Sequence, residues 1–268
     1  MNPNPSKGTA LVTGASTGIG AIYADRLARR GYDLILVARN RERLEALAHR
    51  ISTDTGRKAE VLAADLNDQA GLASVEAVLG SDIPLTLLVN NAGVGATAPL
   101  LASDIDSMTS MINLNVTALT RLTYAAVPGM VKRGGGAVIN IASIVGIAPE
   151  LLNGVYGASK AFVLAFSQSL SHELSDKNIR IQAVAPGATA TDFWDIAGTP
   201  VAHLPGEIVM RAEDMVDAAL AGFDQGELIT IPSLPDAADW IAYEAARQKL
   251  LPNLSRQAPA ARYGHARV

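Results

Sequence analysis

The hydrophobic and polar positions of the chain follow two alternating patterns along most of its length. Short aliphatic runs, typical of strands buried on both faces, are followed by stretches in which apolar residues recur with helical spacing. The predicted strands cover residues 9–12, 34–37, 59–63, 84–89, 137–141, 179–184 and 227–231. The predicted helices cover residues 21–30, 41–51, 68–79, 104–132 and 155–176.

This order of strands and helices predicts an α/β fold. Parallel strands need right-handed crossover connections, so we expect a Rossmann-type, doubly wound parallel sheet of about seven strands with helices on both faces. No linker or internal repeat divides the sequence, so we expect residues 1–268 to form a single domain. Residues 192–225 are irregular and predict a substrate lid. The polar stretch 252–268 predicts a tail that is flexible or docks on a partner subunit.

Composition agrees with this fold and excludes several classes of protein. With 49% hydrophobic and 18% charged residues, the chain can cover both faces of a sheet. The net charge of -4 and the lack of a basic stripe argue against a nucleic-acid partner. Because there is no cysteine, disulfides and thiolate sites are excluded. The four histidines are too scattered to predict a metal site: His49, His172, His203 and His265.

Hydropathy along the chain bears on its location. The longest apolar runs are far shorter than the ~20 residues that span a bilayer. Residues 1–8 are polar and lack the apolar core of a signal peptide. We therefore expect a cytoplasmic protein without membrane contact.

The first predicted strand runs into a glycine-rich segment whose cofactor-binding candidates are Gly14, Ser16, Thr17, Gly18, Ile19 and Gly20. A strand, a glycine-rich turn and a helix start favour pyrophosphate binding, because glycines let the backbone approach and the helix N-terminus offers free N–H groups. The spacing Gly-x-x-x-Gly-x-Gly differs from the commoner dinucleotide fingerprint. A tight turn without a ligand therefore remains the alternative interpretation.

The second predicted strand ends at an arginine, Arg39, rather than at a carboxylate. Sites for NAD place Asp or Glu there to bind the ribose 2′-hydroxyl, whereas Asp33 lies at the other end of the strand. A guanidinium suits a 2′-phosphate, which it binds with two parallel hydrogen bonds. Arg39 therefore predicts NADP(H) in preference to NAD(H), unless it is only a solvated residue at a helix start.

Tyr156 and Lys160 are four residues apart near the start of a predicted helix. Residues at i and i+4 lie on one helical face, so the phenol and the ammonium can address one site. We expect the ammonium to lower the pKa of Tyr156 from its usual ~10, so that the phenol exchanges protons with a carbonyl or alcohol near neutral pH. An exposed pair without a chemical role is the alternative.

Polar residues and glycines also follow the ends of several predicted strands. Ligands bind outside the carboxyl ends of the strands in an open parallel sheet, so these residues predict one common site. They are Gly14, Asn90-Asn91-Ala92-Gly93, Ser143 and Pro186-Gly187.

On the basis of these residues, the chain resembles the short-chain dehydrogenase/reductase family, in its compact single-domain branch, over residues 7–231. The glycine spacing noted above is this family's own form. The motifs that carry the resemblance are Thr13-Gly14-x-x-x-Gly18-x-Gly20, Asn90-Asn91-Ala92-Gly93, Asn115, Ser143, Tyr156-x-x-x-Lys160 and Pro186-Gly187-x-x-x-Thr191.

The resemblance implies a role for each matching residue. Tyr156 would be the acid/base and would also contact the cofactor. Ser143 would bind the reacting carbonyl oxygen, and Lys160 would bind the nicotinamide ribose and tune Tyr156. Asn115 would support a water chain that returns the proton to solvent. The remaining cofactor contacts would be Asp65 and Leu66 at the adenine, Asn91, Ala92 and Gly93 at its ribose, and Pro186, Gly187, Thr189 and Thr191 over the nicotinamide.

One position departs from the pattern of the family. Many of its NADP(H)-binding members carry a basic residue where this chain has Thr17. The 2′-phosphate would then depend mainly on Arg39, helped by Ser16 and Asn40.

The predicted function is that of an NADP(H)-dependent carbonyl reductase or alcohol dehydrogenase. An NAD(H)-dependent dehydrogenase of the same family and a catalytically silent NADP(H)-binding regulatory protein are the alternatives. The family commonly forms tetramers through the two long helices, 104–132 and 155–176, so we expect a homo-oligomer, a tetramer or a dimer. Four apolar residues of the lid could line a substrate pocket or simply anchor the lid to the core: Phe193, Trp194, Ile196 and Val201.

Overall fold

The computed structural model describes residues 6–264 and has a seven-stranded parallel sheet at its centre. The strands are β1 (Thr9–Thr13), β2 (Asp33–Ala38), β3 (Ala59–Ala63), β4 (Leu85–Asn90), β5 (Gly136–Ile141), β6 (Ile179–Val184) and β7 (Ile229–Thr230). They lie in the order β3-β2-β1-β4-β5-β6-β7. The predicted Rossmann-type fold is therefore confirmed, with the reversal of strand order between β1 and β4.

The helices occupy the connections between the strands and continue after them. They are α1 (Gly18–Arg29), α2 (Arg41–Thr55), α3 (Gln69–Leu79), α4 (Ile105–Ile112), α5 (Leu119–Lys132), α6 (Gly154–Glu173), α7 (Phe193–Ala197), α8 (Ala212–Gln225) and α9 (Ala237–Gln248). A π-helical segment, Asn113–Ala118, joins α4 to α5. The predicted helix 104–132 is therefore a nearly continuous element whose winding changes in the middle.

The core consists of two layers because successive side chains of a strand point to opposite faces of the sheet. Ala10 and Val12 of β1 pack with α1, α2 and α8 on one face. Leu11, between them, packs with α3, α5 and α6 on the other face. Both faces of the sheet are covered, as the aliphatic runs of the sequence predict.

The segment predicted to be irregular, 192–225, is more regular than expected. Its last part is helix α8, in which Met215, Val216, Ala219 and Leu220 are at most 1% exposed. These residues have helical spacing, but prolines and glycines, which are typical of loops, come just before them in the sequence. The prediction of irregular chain is wrong for α7 and α8, and the substrate lid at residues 192–225 stays a prediction.

The chain divides into two compact units between Pro232 and Ser233. The first unit holds the whole sheet. The second contains α9, which was not predicted and which has no buried residue. The single domain over residues 1–268 stays a prediction, and residues 1–5 and 265–268, at the ends of the predicted polar start and tail, lie outside the described residues.

Candidate active site

The predicted phosphate loop is a tight turn between β1 and α1. Gly14 and Gly18 have φ angles of +66° and +53°, in the left-handed region that favours glycine. A Cβ atom on Gly20 would overlap the carbonyl oxygen of Gly14, so no side chain fits at this position. The first turn of α1 carries no acidic residue, and the side chain of Thr17 makes no hydrogen bond that caps the helix. The turn therefore presents helix N–H groups that suit an anion.

Hydrogen bonds connect this turn to the segment after β4. Thr13 Oγ1 accepts hydrogen bonds from the backbone N–H groups of Asn91 and Ala92, each at 3.0 Å. Asn91 Nδ2 donates to the carbonyl oxygen of Thr13 at 2.9 Å. A Cβ atom on Gly93 would lie 3.5 Å from Lys160 Nζ. The predicted residues 91–93 thus lie between the glycine turn and the predicted catalytic lysine.

Arg39 lies just past β2, next to the glycine turn. The backbone N–H of Ala15 donates to the carbonyl oxygen of Val37 at 3.1 Å, which fixes the turn beside the end of β2. Arg39 is exposed and forms no ion pair within residues 6–264. Asn40 caps α2 by accepting a hydrogen bond from the backbone N–H of Arg43 at 2.9 Å. Arg39 is thus an exposed cation at this corner of the described residues, and the Asn40 side-chain oxygen has a structural role.

The predicted adenine-lining residues follow β3 at the same edge of the sheet. Asp65 Oδ1 accepts a hydrogen bond from the backbone N–H of Asn67 at 2.9 Å. Leu66 is buried, whereas Asp65 is partly exposed. The backbone N–H of Ala64 donates to the carbonyl oxygen of Ala38 at 3.0 Å, which joins this turn to the residue before Arg39.

Tyr156 and Ser143 are brought together in a buried position. Their side chains are close enough to interact, and the two residues are 5% and 8% exposed. Ser143 Oγ donates to the carbonyl oxygen of Pro186 at 3.4 Å. Asn153 caps α6 by accepting hydrogen bonds from the backbone N–H groups of Val155 and Tyr156 at 2.9 and 3.3 Å. The cap fixes the start of the helix and with it the position of the phenol.

The pKa of Tyr156 is shifted in the direction opposite to the one expected from sequence. Burial raises it to about 12, and the hydrogen bond with Ser143 lowers it only in part. Lys160 Nζ is 5.9 Å from the centre of the phenol ring and donates to the carbonyl oxygen of Ile141 at 2.9 Å. Burial lowers the pKa of Lys160 to about 8. The expected lowering is wrong for this structure, because desolvation outweighs the ammonium at that distance.

Asn115 belongs to the π-helical segment between α4 and α5. Its Oδ1 accepts a hydrogen bond from the backbone N–H of Val94 at 3.0 Å, and its Nδ2 donates to the Val94 carbonyl oxygen at 2.9 Å and to Ser159 Oγ at 3.1 Å. Ser159 Oγ donates to the carbonyl oxygen of Tyr156 at 2.8 Å. Asn115 therefore joins the segment after β4 to α6, and local widening of a helix into π form is frequent at functional sites.

The segment after β6 closes the same edge. The backbone N–H of Ile144 donates to the carbonyl oxygen of Pro186 at 3.0 Å, and Thr189 Oγ1 donates to the carbonyl oxygen of Gly187 at 3.1 Å. A Cβ atom on Gly18 would lie 3.2 Å from Thr191 Cγ2. The segment thus reaches from Ser143 across to the glycine turn.

The apolar residues of the predicted lid separate into different environments. The Phe193 ring lies 5.8 Å from the Tyr156 ring, centre to centre. Trp194 is buried and its Nε1 donates to the carbonyl oxygen of Thr189 at 3.0 Å. Ile196 is 67% exposed. Trp194 is therefore an anchor and Phe193 lines the site, whereas Ile196 does not.

Two kinds of supporting residue were missed in the sequence. Asn153 and Ser159 were not predicted, although an asparagine before a helix is a recognisable cap signal. Asn90 Nδ2 donates to Asn140 Oδ1 at 2.9 Å, and Asn140 Nδ2 donates to Ser167 Oγ at 3.0 Å. This buried chain ties β4 and β5 to α6, and only contacts between distant elements reveal it.

Metal-ligand groups and membrane-spanning helices are both absent from residues 6–264. These residues include no group of three or more His, Asp or Glu side chains placed to hold a metal ion. None of their helices is long and apolar enough to cross a membrane. Cytoplasmic localisation stays a prediction.

Comparisons with known proteins agree with this geometry. The family model described as short chain dehydrogenase matches residues 8–199. The very-long-chain 3-oxoacyl-CoA reductase of Anas platyrhynchos is 35% identical over 192 residues, which are 70% of this chain. The chain spans 62% of the length of that reductase.

Two solved structures are more similar. A short-chain dehydrogenase from Sphingobium yanoikuyae in complex with NADPH has a TM-score of 0.92 and 49% identity, covering 96% of this chain and 100% of that one. The bulky-bulky ketone specific alcohol dehydrogenase from Comamonas testosteroni has a TM-score of 0.88 and 44% identity, covering 96% of this chain and 98% of that one.

Proposed function

The chain belongs to the short-chain dehydrogenase/reductase family, and from this we propose that it is an NADP(H)-dependent oxidoreductase. In the proposed reaction a hydride passes between the cofactor and the carbon of a ketone or secondary alcohol, and Tyr156 exchanges the proton. The observation that carries the proposal is the buried group of Tyr156, Ser143 and Lys160, in which Lys160 Nζ lies 5.9 Å from the centre of the phenol ring.

The residues of the chain fit a nicotinamide dinucleotide. Gly14, Gly18 and Gly20 leave three positions of the turn without side chains, where a pyrophosphate can approach the N-terminus of α1. When bound, the cofactor supplies or accepts the hydride, which is chemistry that no side chain provides. Lys160 would donate from Nζ to the hydroxyls of the nicotinamide ribose, next to Gly93.

In the direction of reduction Tyr156 acts as a general acid. A pKa of about 12 keeps its Oη protonated at neutral pH, so a proton is available for the carbonyl oxygen as the carbonyl carbon receives the hydride. Ser143 Oγ donates a second hydrogen bond to that oxygen. The charge of Lys160 stabilises the phenolate left on Tyr156. The phenolate then regains a proton from solvent through a water chain that Asn115 would support. Alcohol oxidation uses the same groups in reverse.

The preference for NADP(H) rests on Arg39. It is an exposed cation beside the glycine turn, without an ion pair in residues 6–264, and guanidinium binds phosphate with paired hydrogen bonds. The Sphingobium yanoikuyae structure, 49% identical, holds NADPH, which supports the same choice. Thr17 contributes no charge, so the preference depends on a single cation.

The proposed substrates are ketones and secondary alcohols with apolar substituents. The side chains packed around Tyr156 are apolar: Met108, Met111, Val145, Val94, Ile144, Leu152 and Phe193. A polar substrate would lose hydrogen bonds to water in such a pocket without replacing them. The specificity of the Comamonas testosteroni enzyme for bulky-bulky ketones supports the same class.

The proposal is tested by NADPH consumption with a panel of aryl alkyl ketones, aliphatic ketones and sugars, with the product alcohols identified. We expect turnover of the apolar ketones and slower turnover with NADH. If the protein binds NADPH but consumes none with any compound of the panel, the proposed oxidoreductase function is contradicted and a catalytically silent NADP(H)-binding protein is favoured.

We also expect a homo-oligomer. Tyr124 on α5 and Phe162 on α6 are 66% and 37% exposed, which supports contact through these helices. Light scattering of the purified protein distinguishes a tetramer, a dimer and a monomer.

A further inference from the structure

The phenol of Tyr156 is covered although the proposed reaction requires its hydroxyl to touch substrate. The residue is 5% exposed, and one of the rings against it is that of Phe193 on α7. The two ring centres are 5.8 Å apart and the planes are inclined by 42°. Phe193 is itself only partly buried, so its ring separates the phenol from solvent on that side.

The ring of Phe193 occupies this position because residue 95 is a glycine. A Cβ atom on Gly95 would overlap Phe193 Cζ and lie 3.0 Å from Cε2 and 3.2 Å from Cε1. The atoms it would meet belong to the far end of a side chain, so the ring would swing away and the backbone would stay. Gly95 therefore determines how closely the Phe193 ring approaches Tyr156.

The backbone on both sides of Phe193 is held in place, so ring movement is local. Trp194 is anchored through Nε1 to the carbonyl oxygen of Thr189 at 3.0 Å. Thr97 donates to the carbonyl oxygen of Ala197 from its backbone N–H at 3.1 Å and from Oγ1 at 3.0 Å. These bonds fasten α7 to the segment that carries Gly95. The gap between the two is therefore fixed except for the Phe193 side chain.

Space released by the ring would be lined by apolar side chains. Phe193 packs in one cluster with Tyr156, Met108, Met111, Val145 and Leu152. An apolar substituent that replaced the ring would keep these contacts, whereas water or a polar group would not. Methionines adapt their shape easily, which favours a range of substituents.

We propose that Phe193 and Gly95 form a size gate that determines which ketones reach Tyr156. The Phe193 ring occupies the place of the second bulky, apolar substituent of the ketone and is displaced when that substituent is larger than a methyl group. Gly95 provides the space that the ring occupies in its position against Tyr156. This inference rests on the proposed ketone reductase function and names the residues that determine substrate size.

The first test compares two ketones in variants of the gate. For Phe193→Ala we expect the ratio of kcat/KM for 1-phenylpentan-1-one over acetophenone to rise at least about tenfold, because the ring no longer competes with the longer chain. Ile196→Ala is the matched control, since Ile196 lies on the same helix and is 67% exposed. A ratio that is the same in Phe193→Ala and in the control would overturn the gate.

The second test asks whether the two gate residues act on each other. Gly95→Ala pushes the ring aside, so we expect it to change the ketone ratio at least about fivefold in the native background. In the Phe193→Ala background there is no ring to push, and we expect less than about a twofold change. Equal effects in both backgrounds would show that Gly95 acts without Phe193 and would contradict the proposal.

A readout without turnover separates the gate from the chemistry. Trp194 and Trp240 are the two tryptophans, so Trp240→Phe leaves the emission of Trp194, whose ring packs edge-on against Phe193 at 5.7 Å. We expect 1-phenylpentan-1-one to change this emission, and the change to be lost in Phe193→Ala. Such a response without turnover of any ketone would support the gate and contradict the proposed function. Turnover without the response would contradict the gate alone.

Discussion

The two halves of the proposed site differ in their physical basis. The proposed cofactor half, the glycine turn 14–20 and Arg39, consists of backbone and an exposed charge, because glycines leave room and the guanidinium lies at the surface. The proposed reaction half, Ser143, Tyr156 and Lys160, is buried among apolar side chains, and burial shifts the pKa values of Tyr156 and Lys160. Substitutions should therefore act by steric overlap and charge in the first half, and by desolvation in the second.

The largest effect is expected for Gly20→Ala in the cofactor half. Its methyl group would overlap the backbone oxygen of Gly14, so the turn must move. We expect no NADPH binding at concentrations that saturate the native protein, and a loss of about 1–3 kcal/mol in the free energy of unfolding. Fluorescence titration and denaturant unfolding measure the two. Gly206→Ala, where a Cβ atom meets nothing within 4 Å, is the control.

A smaller effect is expected for Arg39→Asp, which reverses the charge of the cofactor half without filling space. Loss of charge-assisted hydrogen bonds and added repulsion should lower the ratio of NADPH to NADH affinity by about 100-fold. The pH dependence of turnover should not change. Lys132→Asp, an equal charge change at the opposite edge of the sheet, should leave the ratio unchanged. If the ratio of NADPH to NADH affinity in Arg39→Asp equals that of the native protein, Arg39 does not determine the cofactor preference.

The smallest effect is the pH response that desolvation gives to the reaction half. The pKa of Lys160 is lowered to about 8, so its charge is present below that pH and is lost above it, while Tyr156, at about 12, stays protonated. We expect kcat for ketone reduction to fall by about tenfold as pH rises from 7 to 10. NADPH affinity, which depends on Arg39, should fall less. A flat kcat profile over this range would contradict the role of the Lys160 charge.

The same contrast explains how much the sequence predicted. The proposed cofactor half could be predicted from the sequence because its geometry requires glycine at particular positions. Gly14 has a positive φ angle, and a Cβ atom on Gly20 would have no room. The pair Tyr156 and Lys160 was readable from helical spacing. The strands were readable because a sheet buried on both faces requires aliphatic runs.

What the sequence did not predict depends on packing between distant segments. The shift of the Tyr156 pKa required the burial of the phenol and the 5.9 Å distance between its ring and Lys160 Nζ. The meeting of Phe193 with Gly95 joins segments that follow different strands. Helix α8 is a different case. Its apolar residues have helical spacing, but the prolines and glycines that precede them are typical of a loop.

In the proposed reaction Tyr156 transfers the proton and contributes little to the affinity for NADPH. This role is tested most directly by measuring kcat and the NADPH dissociation constant in Tyr156→Phe, with Tyr243→Phe as the control on an exposed tyrosine. We predict that kcat for ketone reduction falls at least about 1,000-fold, while the dissociation constant changes less than about twofold. Ketone reduction at the native rate in Tyr156→Phe would contradict the account.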